Sequence, residues 1–296
     1  MKWRACCWAL WVTGQAYAWG SVGHEIVATM AHALLDNDTR MHLCAYLPSM
    51  DDHGQLMPCS LASIATWADD IKDTMPWTAP WHYVNAIGDA PPHACVFGDA
   101  FTQSEHILTA IPHFVEQLAY DTGPALYFLT HLLGDLHQPL HLVGYHQGGN
   151  TLAVRYGSVP TNLHRIWDTV LVQRRIQAVR HVEAMDISYE SALHGKHYDA
   201  YIRWILTEGL GLGKSMSWWP SWRTWAVCFD PDRCVWEWAS EVHRWACQYA
   251  MPGDLRADDP AYLEPIDRDK VVERALAMAS VRLAAILTHG LRRTLS

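Results

Sequence analysis

The chain has 296 residues, of which 50% are apolar, and a formal net charge of −9. This size and apolar content suit one fairly large globular domain or two small ones, and no internal repeat, low-complexity tract or clear linker divides the sequence. The acidic balance argues against nucleic-acid binding through a broad basic surface, because proteins of that kind neutralise phosphates with many Lys and Arg residues.

The N-terminal sequence MKWRACCWALWVTGQAYA has a basic start, an apolar middle and an Ala-Tyr-Ala end. This pattern predicts a secretory signal peptide over residues 1–18, cleaved between Ala18 and Trp19. A membrane anchor is the alternative, but the apolar stretch is short for a bilayer span and ends at a cleavage motif. We therefore expect a secreted protein without a membrane anchor, in which residues 19–296 form a single domain.

Apolar residues recur at helical spacing through most of the remaining chain. Ser104 is a candidate N-cap, and alternation in LAVRYGSVP, residues 152–160, predicts a small β-hairpin. The last helix carries Glu273, Arg274 and Arg282, which favours a docked amphipathic helix over a second membrane span. The expected fold class is all-α, a single mainly helical domain with long loops and a small β-hairpin. The predicted helices cover residues 24–35, 61–72, 104–120, 123–138, 161–176, 198–209, 234–250 and 271–290.

The segment HLLGDLHQPLH at residues 131–141 places three histidines and an aspartate in an apolar helical run. Buried imidazoles and carboxylates are costly unless something satisfies them. His131 and Asp135 are four residues apart and share a helix face, as do His164 and Asp168, while His141 follows a proline break. Each pair alone is equally well explained as a helix-face salt bridge. The two pairs together, beside His141, indicate zinc sites with nitrogen and oxygen ligands.

Other polar residues interrupt apolar segments in the motifs WGSVGHE, TWADD and WHYVN, which contain His24, Asp69 and His82. With HLLGDLHQPLH, GGN and NLHRIWD, these motifs resemble, in order and spacing, the S1/P1 nuclease family. Members of that family are secreted, zinc-dependent, single-strand-specific nucleases that are also 3′-nucleotidases. The resemblance runs from Trp19 to about Asp168 and more loosely to the last helix, and it implies a scaffold similar to that of zinc phospholipase C.

The resemblance implies three Zn²⁺ ions, which would satisfy the buried polar groups and contribute to folding. One ligand of the third ion would be the α-amino nitrogen of Trp19, which is free only after the signal peptide is cleaved. The implied ligand sets are Asp69, His82, His131 and Asp135 for the first ion; His141, His164 and Asp168 for the second; and His24, Asp135 and the amino nitrogen and carbonyl oxygen of Trp19 for the third.

The implied reaction is attack of a metal-activated hydroxide on a phosphate of single-stranded DNA, RNA or a 3′-nucleotide, with zinc stabilising the leaving 3′ oxygen and 5′-phosphate products. Asp69 would orient the attacking water, and Lys72 and Asn150 would lie at the phosphate. An acidic monomer would thus bind its substrate through its metal ions.

Three residues implied to contact the base or phosphate differ from the usual family residues. Tyr83 matches an aromatic residue that stacks on the base, but Asn85 replaces an Asp, Gln147 replaces an apolar side chain and Lys72 replaces an Arg. Asn both donates and accepts hydrogen bonds, and Lys lacks the bidentate fork of Arg. The base preference is therefore expected to differ from that of the best-known members.

Two other functions stay open at this stage. A zinc phospholipase C uses a related helical scaffold, although the HYVN and GGN motifs favour the nuclease. A catalytically inactive secreted zinc-binding protein is less well supported, because no position in the implied ligand set is missing. Outside the ligand set, His137 and His146 are expected near the site. No functional role is expected for five histidines of the core or the helix surfaces, which are His32, His42, His106, His113 and His243.

Six cysteines follow residue 18, and six cysteines allow 15 pairings. The resemblance implies the pair Cys95–Cys247. Proximity in sequence favours the pairs Cys44–Cys59 and Cys228–Cys234. The sequon Asn-Asp-Thr predicts an N-glycosylation site at Asn37.

Overall fold

Helices make up most of the structure, a computed structural model that describes residues 19–51, 53–98, 100–251 and 256–292. The predicted signal peptide lies outside these residues. Within them are twelve α-helices and a two-stranded antiparallel sheet, so the all-α prediction with a small hairpin is confirmed. The helices are α1 Ser21–Leu34, α2 Asn37–Leu43, α3 Trp67–Asp70, α4 Ile107–Gln117, α5 Thr122–Leu136, α6 Leu163–Arg165, α7 Val172–Ala178, α8 Ile187–Glu190, α9 Asp199–Trp204, α10 Pro231–Trp245, α11 Pro260–Arg268 and α12 Val271–Arg292, and the strands are β1 Ala153–Tyr156 and β2 Val159–Asn162.

Several helices continue into turns of a different pitch. Wider π-helical turns extend α6, α9 and α10, and tighter 3₁₀ turns flank α3 and follow α5. Such departures from regular α geometry are frequent at functional sites. The π turns are Ile166–Leu171, Ile205–Gly209 and Ala246–Ala250, and the 3₁₀ turns nearest the candidate site are Leu61–Ile64, Ile71–Asp73, Pro76–His82 and Pro139–Leu142.

Local capping decides where some helices begin. The predicted N-cap Ser104 is wrong: α4 begins at Ile107, and the backbone N–H of His106 donates to Thr109 Oγ1 at 3.1 Å. The short helices α2 and α11 have too few residues for a clear apolar period, and aspartates start both. Asp36 accepts from Thr39 N at 2.9 Å, and Asp259 accepts from Ala261 N at 2.9 Å.

Helix α12 packs against both α1 and α5. Ser280 Oγ donates to the carbonyl of Val27 on α1 at 3.0 Å, and Arg282 donates to His137 Nε2, just after α5, at 2.7 Å. Glu273 and Arg282, expected on the polar face of a docked helix, are instead buried. They are paired with Arg175 and Glu241, which offsets the cost of burying them. Within the described part of the chain, no helix is long and apolar enough to cross a membrane.

Three disulfides connect segments of the chain among the described residues. They are Cys44–Cys59, Cys95–Cys247 and Cys228–Cys234, the same pairs that the sequence analysis expected. The second bond fastens the loop after the WHYVN motif to the π turn that ends α10. Asn37 is exposed at the first position of α2, and its glycosylation stays a prediction.

Candidate metal and substrate site

Five predicted ligands from four separate segments converge in the interior, and we name them cluster one. All five are buried, with relative exposures of 5% or less. The packing of α1 against α5, with the short helix α3 beside α5, brings these distant segments together. Cluster one consists of His24 on α1, Asp69 on α3, His82 at the end of the 3₁₀ turn Pro76–His82, and His131 and Asp135 on α5.

The side-chain atoms of cluster one face a common centre. His131 Nε2 lies 3.4 Å from Asp69 Oδ1 and 3.3 Å from Asp135 Oδ2. His82 Nδ1 lies 2.8 Å from Asp135 Oδ2, and His24 Nε2 lies 3.2 Å from Asp135 Oδ1. Asp135 therefore contacts three imidazoles through its two oxygens. An isolated salt bridge on a helix face would not bring these additional partners to the pair His131 and Asp135.

Space for the His24 ring depends on the absence of a side chain at Gly134. A Cβ atom at this position would lie 2.7 Å from His24 Nδ1, closer than nonbonded atoms approach. The His24 ring stacks on that of His131, with a centroid distance of 3.8 Å. The glycine of the GDLH motif thus allows α1 to bring its imidazole against α5.

Three further predicted ligands, His141, His164 and Asp168, form cluster two. His164 Nε2 lies 3.2 Å from Asp168 Oδ2, and the rings of His141 and His164 are 5.0 Å apart. His164 is on α6, whereas Asp168 lies in the π turn that follows. The buried Gln138 donates from Nε2 to Asp168 Oδ1 at 2.6 Å, and its Oε1 accepts from Leu140 N at 2.6 Å. One amide therefore fixes both Asp168 and the turn that carries His141.

Three histidines are oriented by the same kind of outer contact. Each donates from Nδ1 to a backbone carbonyl and so leaves Nε2 as the potential ligand atom. The bonds are His131 to Ala65 at 2.8 Å, His141 to His82 at 2.7 Å and His164 to Gly148 at 2.7 Å.

Buried polar atoms without hydrogen-bond partners indicate that the two clusters can bind a metal ion. His131 Nε2, His141 Nε2 and Asp135 Oδ1 are buried but have no aligned hydrogen-bond partner. Leaving such groups unsatisfied costs about 1–3 kcal/mol each. Candidate ligand atoms lie within 4.8 Å of one another in three groups that can hold a metal ion: His24, Asp69 and His131; His82, His131 and Asp135; and His141, His164 and Asp168.

Burial and neighbouring charges shift the pKa values of several residues in the two clusters. Burial lowers the pKa of His24 to about 4 and that of His164 to about 3, which keeps both imidazoles neutral, as metal ligation requires. Burial opposes ionisation of His131, but Asp135 and Asp69 outweigh it and raise its pKa to about 10. The two carboxylates thus favour positive charge at the centre of cluster one.

Trp19 is fully buried at the start of the described chain. The adjacent Gly20 N–H donates to the backbone carbonyl of Asp168 at 2.9 Å, which ties this terminal segment to cluster two. Gly23 leaves room for the Trp19 side chain, since a Cβ there would lie 2.7 Å from Trp19 Cβ. The proposed ligation through the backbone of Trp19 stays a prediction.

A cavity of about 420 Å³ lies next to the two clusters. Its wall contains the ligand candidates His82, His141 and His164. It also contains every residue that the sequence analysis assigned to the substrate: Lys72, Tyr83, Asn85, Gln147 and Asn150.

The cavity wall is shaped by a run of left-handed backbone over residues 146–149. Gln147 adopts a φ of 53°, and Gly148 a φ of 60°. A Cβ at Gly148 would lie 2.5 Å from the carbonyl oxygen of Leu140, so only glycine fits there. Asn150 Nδ2 donates to Gln147 O at 2.9 Å, which closes the loop.

The remaining histidines have roles outside the clusters. His137 is buried, but its Nδ1 contacts Leu133 O and its Nε2 contacts Arg282, so it joins α5 to α12 rather than contacting a ligand. His146 is exposed and contacts the ring of Tyr145. His243, expected to be an ordinary core or surface residue, is paired with Asp89. No spacing signal pointed to that pair or to the contact between Gln138 and Asp168.

A helical fold with buried His/Asp clusters beside a cavity lined by several polar side chains is typical of a metallohydrolase. Residues 19–292 match the S1/P1 nuclease family, and the chain belongs to this family. It is therefore a nuclease, a hydrolase that acts on phosphodiester bonds.

Similar proteins come from plants and fungi. Endonuclease 2 of Arabidopsis thaliana is 31% identical over 95% of this chain and 93% of its own length. Nuclease S1 of Aspergillus oryzae is 30% identical over 92% of this chain and 91% of its own length. Nuclease P1 of Penicillium citrinum is 27% identical over 90% of this chain and 95% of its own length.

Proposed function

We propose that this protein is a secreted, zinc-dependent endonuclease that cleaves single-stranded DNA and RNA to 5′-phosphate products and also acts as a 3′-nucleotidase. One observation carries the proposal. The candidate metal ligands His82, His141 and His164 line the same cavity of about 420 Å³ as the side chains expected to bind the substrate. Family membership supports the reaction type, and the cavity supports the choice of substrate.

Clusters one and two, together with the backbone of Trp19, would hold three Zn²⁺ ions in the ligand sets given above. Bound zinc supplies Lewis acidity, lowering the pKa of water and stabilising charge on phosphate oxygens. The nitrogen and oxygen donors suit this ion, and the Nδ1 contacts of His131, His141 and His164 hold the rings in the required orientation.

Lys72 and Asn150 would act on the phosphate. Lys72 Nζ lies 2.5 Å from Asp69 Oδ1 while also lining the cavity, so its ammonium group is held between cluster one and the substrate space. Asp69 would accept a hydrogen bond from the attacking water and orient it. The positive charge and the hydrogen-bond donors are concentrated at the site, so phosphate binding there is compatible with a chain of net charge −9.

Tyr83, Asn85 and Gln147 would recognise the base. Tyr83 has 37% of its surface exposed, leaving its ring open for stacking. Gly144 approaches the Asn85 side chain, where a Cβ would lie 2.9 Å from Asn85 Cβ, and so leaves that amide room in the wall. A base in a duplex must unstack and unpair before it enters such a cavity, which costs a few kcal/mol and favours single strands.

Residues 1–18 would be removed on secretion, and residues 19–296 would act as one catalytic domain. Cleavage matters for function because it converts the amide nitrogen of Trp19 into an α-amino group. An amide is a poor zinc ligand at neutral pH, so the precursor would lack part of one ligand set.

The proposal is tested by comparing heat-denatured DNA, duplex DNA and a 3′-nucleotide as substrates of the purified protein. We expect cleavage of the denatured DNA and the nucleotide, strong discrimination against the duplex, and loss of all activity after chelation with recovery on adding Zn²⁺. Equal rates on single and double strands would contradict the substrate assignment. Lecithin serves as the comparison substrate, and its hydrolysis without DNA cleavage would favour the phospholipase alternative.

A further inference from the structure

A third group of ligand-type side chains lies outside clusters one and two. His243 on α10 and Asp89 in the loop after the WHYVN motif are both buried, with exposures of 2% and 8%. His243 Nε2 is 3.0 Å from Asp89 Oδ2. Cys247 follows His243 by four residues, and candidate ligand atoms of Asp89, His243 and Cys247 all lie within 4.8 Å of one another.

Asp89 and His243 are in contact, but their contact does not have the geometry of an aligned hydrogen bond. Asp89 Oδ1 accepts from Val96 N at 3.0 Å, which fixes the carboxylate. Asp89 Oδ2 and His243 Nε2 are close, yet neither has an aligned hydrogen-bond partner. The Phe97 ring lies 4.9 Å from the His243 ring and covers it. A buried carboxylate and a buried imidazole thus each have a ligand-type atom within 4.8 Å of the sulfur of Cys247.

A disulfide joins Cys247 to Cys95, so the Cys95 sulfur lies next to that of Cys247. Cys95 is exposed and Cys247 is half-buried, so a small reductant can reach the bond from outside. Two sulfurs, one imidazole nitrogen and one carboxylate oxygen make up a four-donor set of the kind that binds zinc tetrahedrally.

We propose that Asp89, Cys95, His243 and Cys247 form a redox-gated zinc site, distinct from the catalytic clusters. In the oxidised protein the sulfurs are bonded to each other. Two molecules of a small thiol, which are together oxidised to one disulfide, supply the two electrons and two protons that convert the Cys95–Cys247 bond into two thiols. On binding, each thiol releases a proton to solvent, and one Zn²⁺ ion takes both thiolates together with His243 and Asp89.

The other disulfides do not share this environment. Within the described residues, neither Cys44–Cys59 nor Cys228–Cys234 belongs to a group of three or more close ligand-type side chains. The Cys95–Cys247 bond also spans 152 residues of sequence, so it fastens the cavity-side loop to α10 over a long separation. Zinc would replace that covalent connection by coordination under reducing conditions.

Cobalt(II) binding tests the site, because thiolate–cobalt coordination gives a near-ultraviolet charge-transfer band that nitrogen and oxygen ligands do not give. The processed protein beginning at Trp19, with its catalytic clusters filled with zinc, is titrated with Co²⁺ before and after reduction by a water-soluble phosphine, which is oxidised to the phosphine oxide. We expect one additional equivalent of Co²⁺ and the band only after reduction. Absence of the band in the reduced protein would overturn the proposal.

Variants assign the band to these residues. The double variant Cys95→Ser, Cys247→Ser should lose it, and His243→Gln should weaken Co²⁺ binding at least about tenfold, since loss of even an outer partner costs that much at metal sites. His32→Gln is the matched control, a buried histidine elsewhere, and should leave the band unchanged. Near-ultraviolet circular dichroism checks that each variant is folded. A band that persists in the double variant, or that is equally weakened by both His→Gln changes, would refute the assignment.

Discussion

Gln138 offers the sharpest test of how the candidate metal site is held. Its amide is fully buried and joins Asp168 Oδ1 to the backbone of Leu140, with both contacts at 2.6 Å. The change Gln138→Met approximately preserves side-chain volume but removes both hydrogen bonds. We expect it to weaken zinc binding at cluster two, although Gln138 itself is not a ligand.

The size of the effect follows from two independent considerations. A hydrogen bond to a charged group contributes about 1.5–3 kcal/mol. Loss of an outer partner at a metal site lowers affinity about 10–100-fold, which corresponds to about 1.4–2.7 kcal/mol. The ranges overlap, so the expected loss at cluster two is about 10–100-fold. Cluster one has no contact with Gln138 among these bonds and should keep its affinity.

The assay is zinc transfer to a chromophoric chelator, with Gln117→Met on α4 as the matched control. His164→Ala, which removes a ligand of cluster two, provides the second background. If Gln138 acts through cluster two, adding Gln138→Met to His164→Ala should cause little further loss of zinc. Unchanged zinc retention in Gln138→Met, or an equal and additive loss in the His164→Ala background, would refute the reasoning.

Further measurements address the other assignments. Asp135→Ala should release more zinc per chain than His164→Ala, because Asp135 contacts three imidazoles of cluster one; equal metal contents would contradict the bridging role. Asn85→Asp should alter the relative rates on the four 3′-mononucleotides more than the maximal rate, and a uniform loss on all four would place Asn85 at the phosphate instead. One extra residue ahead of Trp19 in the secreted form should lower zinc content and turnover, and full activity of that extended protein would exclude the amino-terminal ligand. Burial lowers the pKa of His32 to about 4 from its ordinary value of 6.5, so the unfolded state binds more protons and stability falls as pH drops from 7.5 to 5. This contribution is about 2 kcal/mol at pH 5, at about 1.4 kcal/mol per pKa unit, and His32→Gln should remove it in urea unfolding at the two pH values; an unchanged pH dependence would show that His32 titrates normally.

Much of the candidate site could be predicted because helix periodicity links sequence spacing to side-chain direction. His131 and Asp135, four residues apart on α5, do face the same centre. The resemblance to a known family then added His24, Asp69 and His82, which lie far apart in sequence and which no local pattern could bring together. The all-α class followed from the apolar period of the longer helices.

Other features depend on contacts that the spacing of residues along the sequence does not encode. Asp168 lies in a π turn, whereas four-residue spacing from His164 had implied an ordinary helix. Helix α4 begins after Ser104 because the backbone N–H of His106 donates a hydrogen bond to Thr109 Oγ1. The pairing of Asp89 with His243 joins a loop to a distant helix. The start of α4 thus depends on a local capping contact, whereas the Asp89–His243 pair depends on a partner that is distant in sequence.

The helix α12 has a consequence for how proteins of this kind lose function. Every proposed ligand of clusters one and two precedes residue 169, yet α12 packs behind α1 and α5, the helices that carry His24, His131 and Asp135. A chain truncated before α12 would still satisfy any search for the ligand motifs while lacking the support behind them. Harmful changes should therefore occur also in the part of the chain that follows the ligands of clusters one and two, and they should appear biochemically as metal deficiency rather than as an altered reaction.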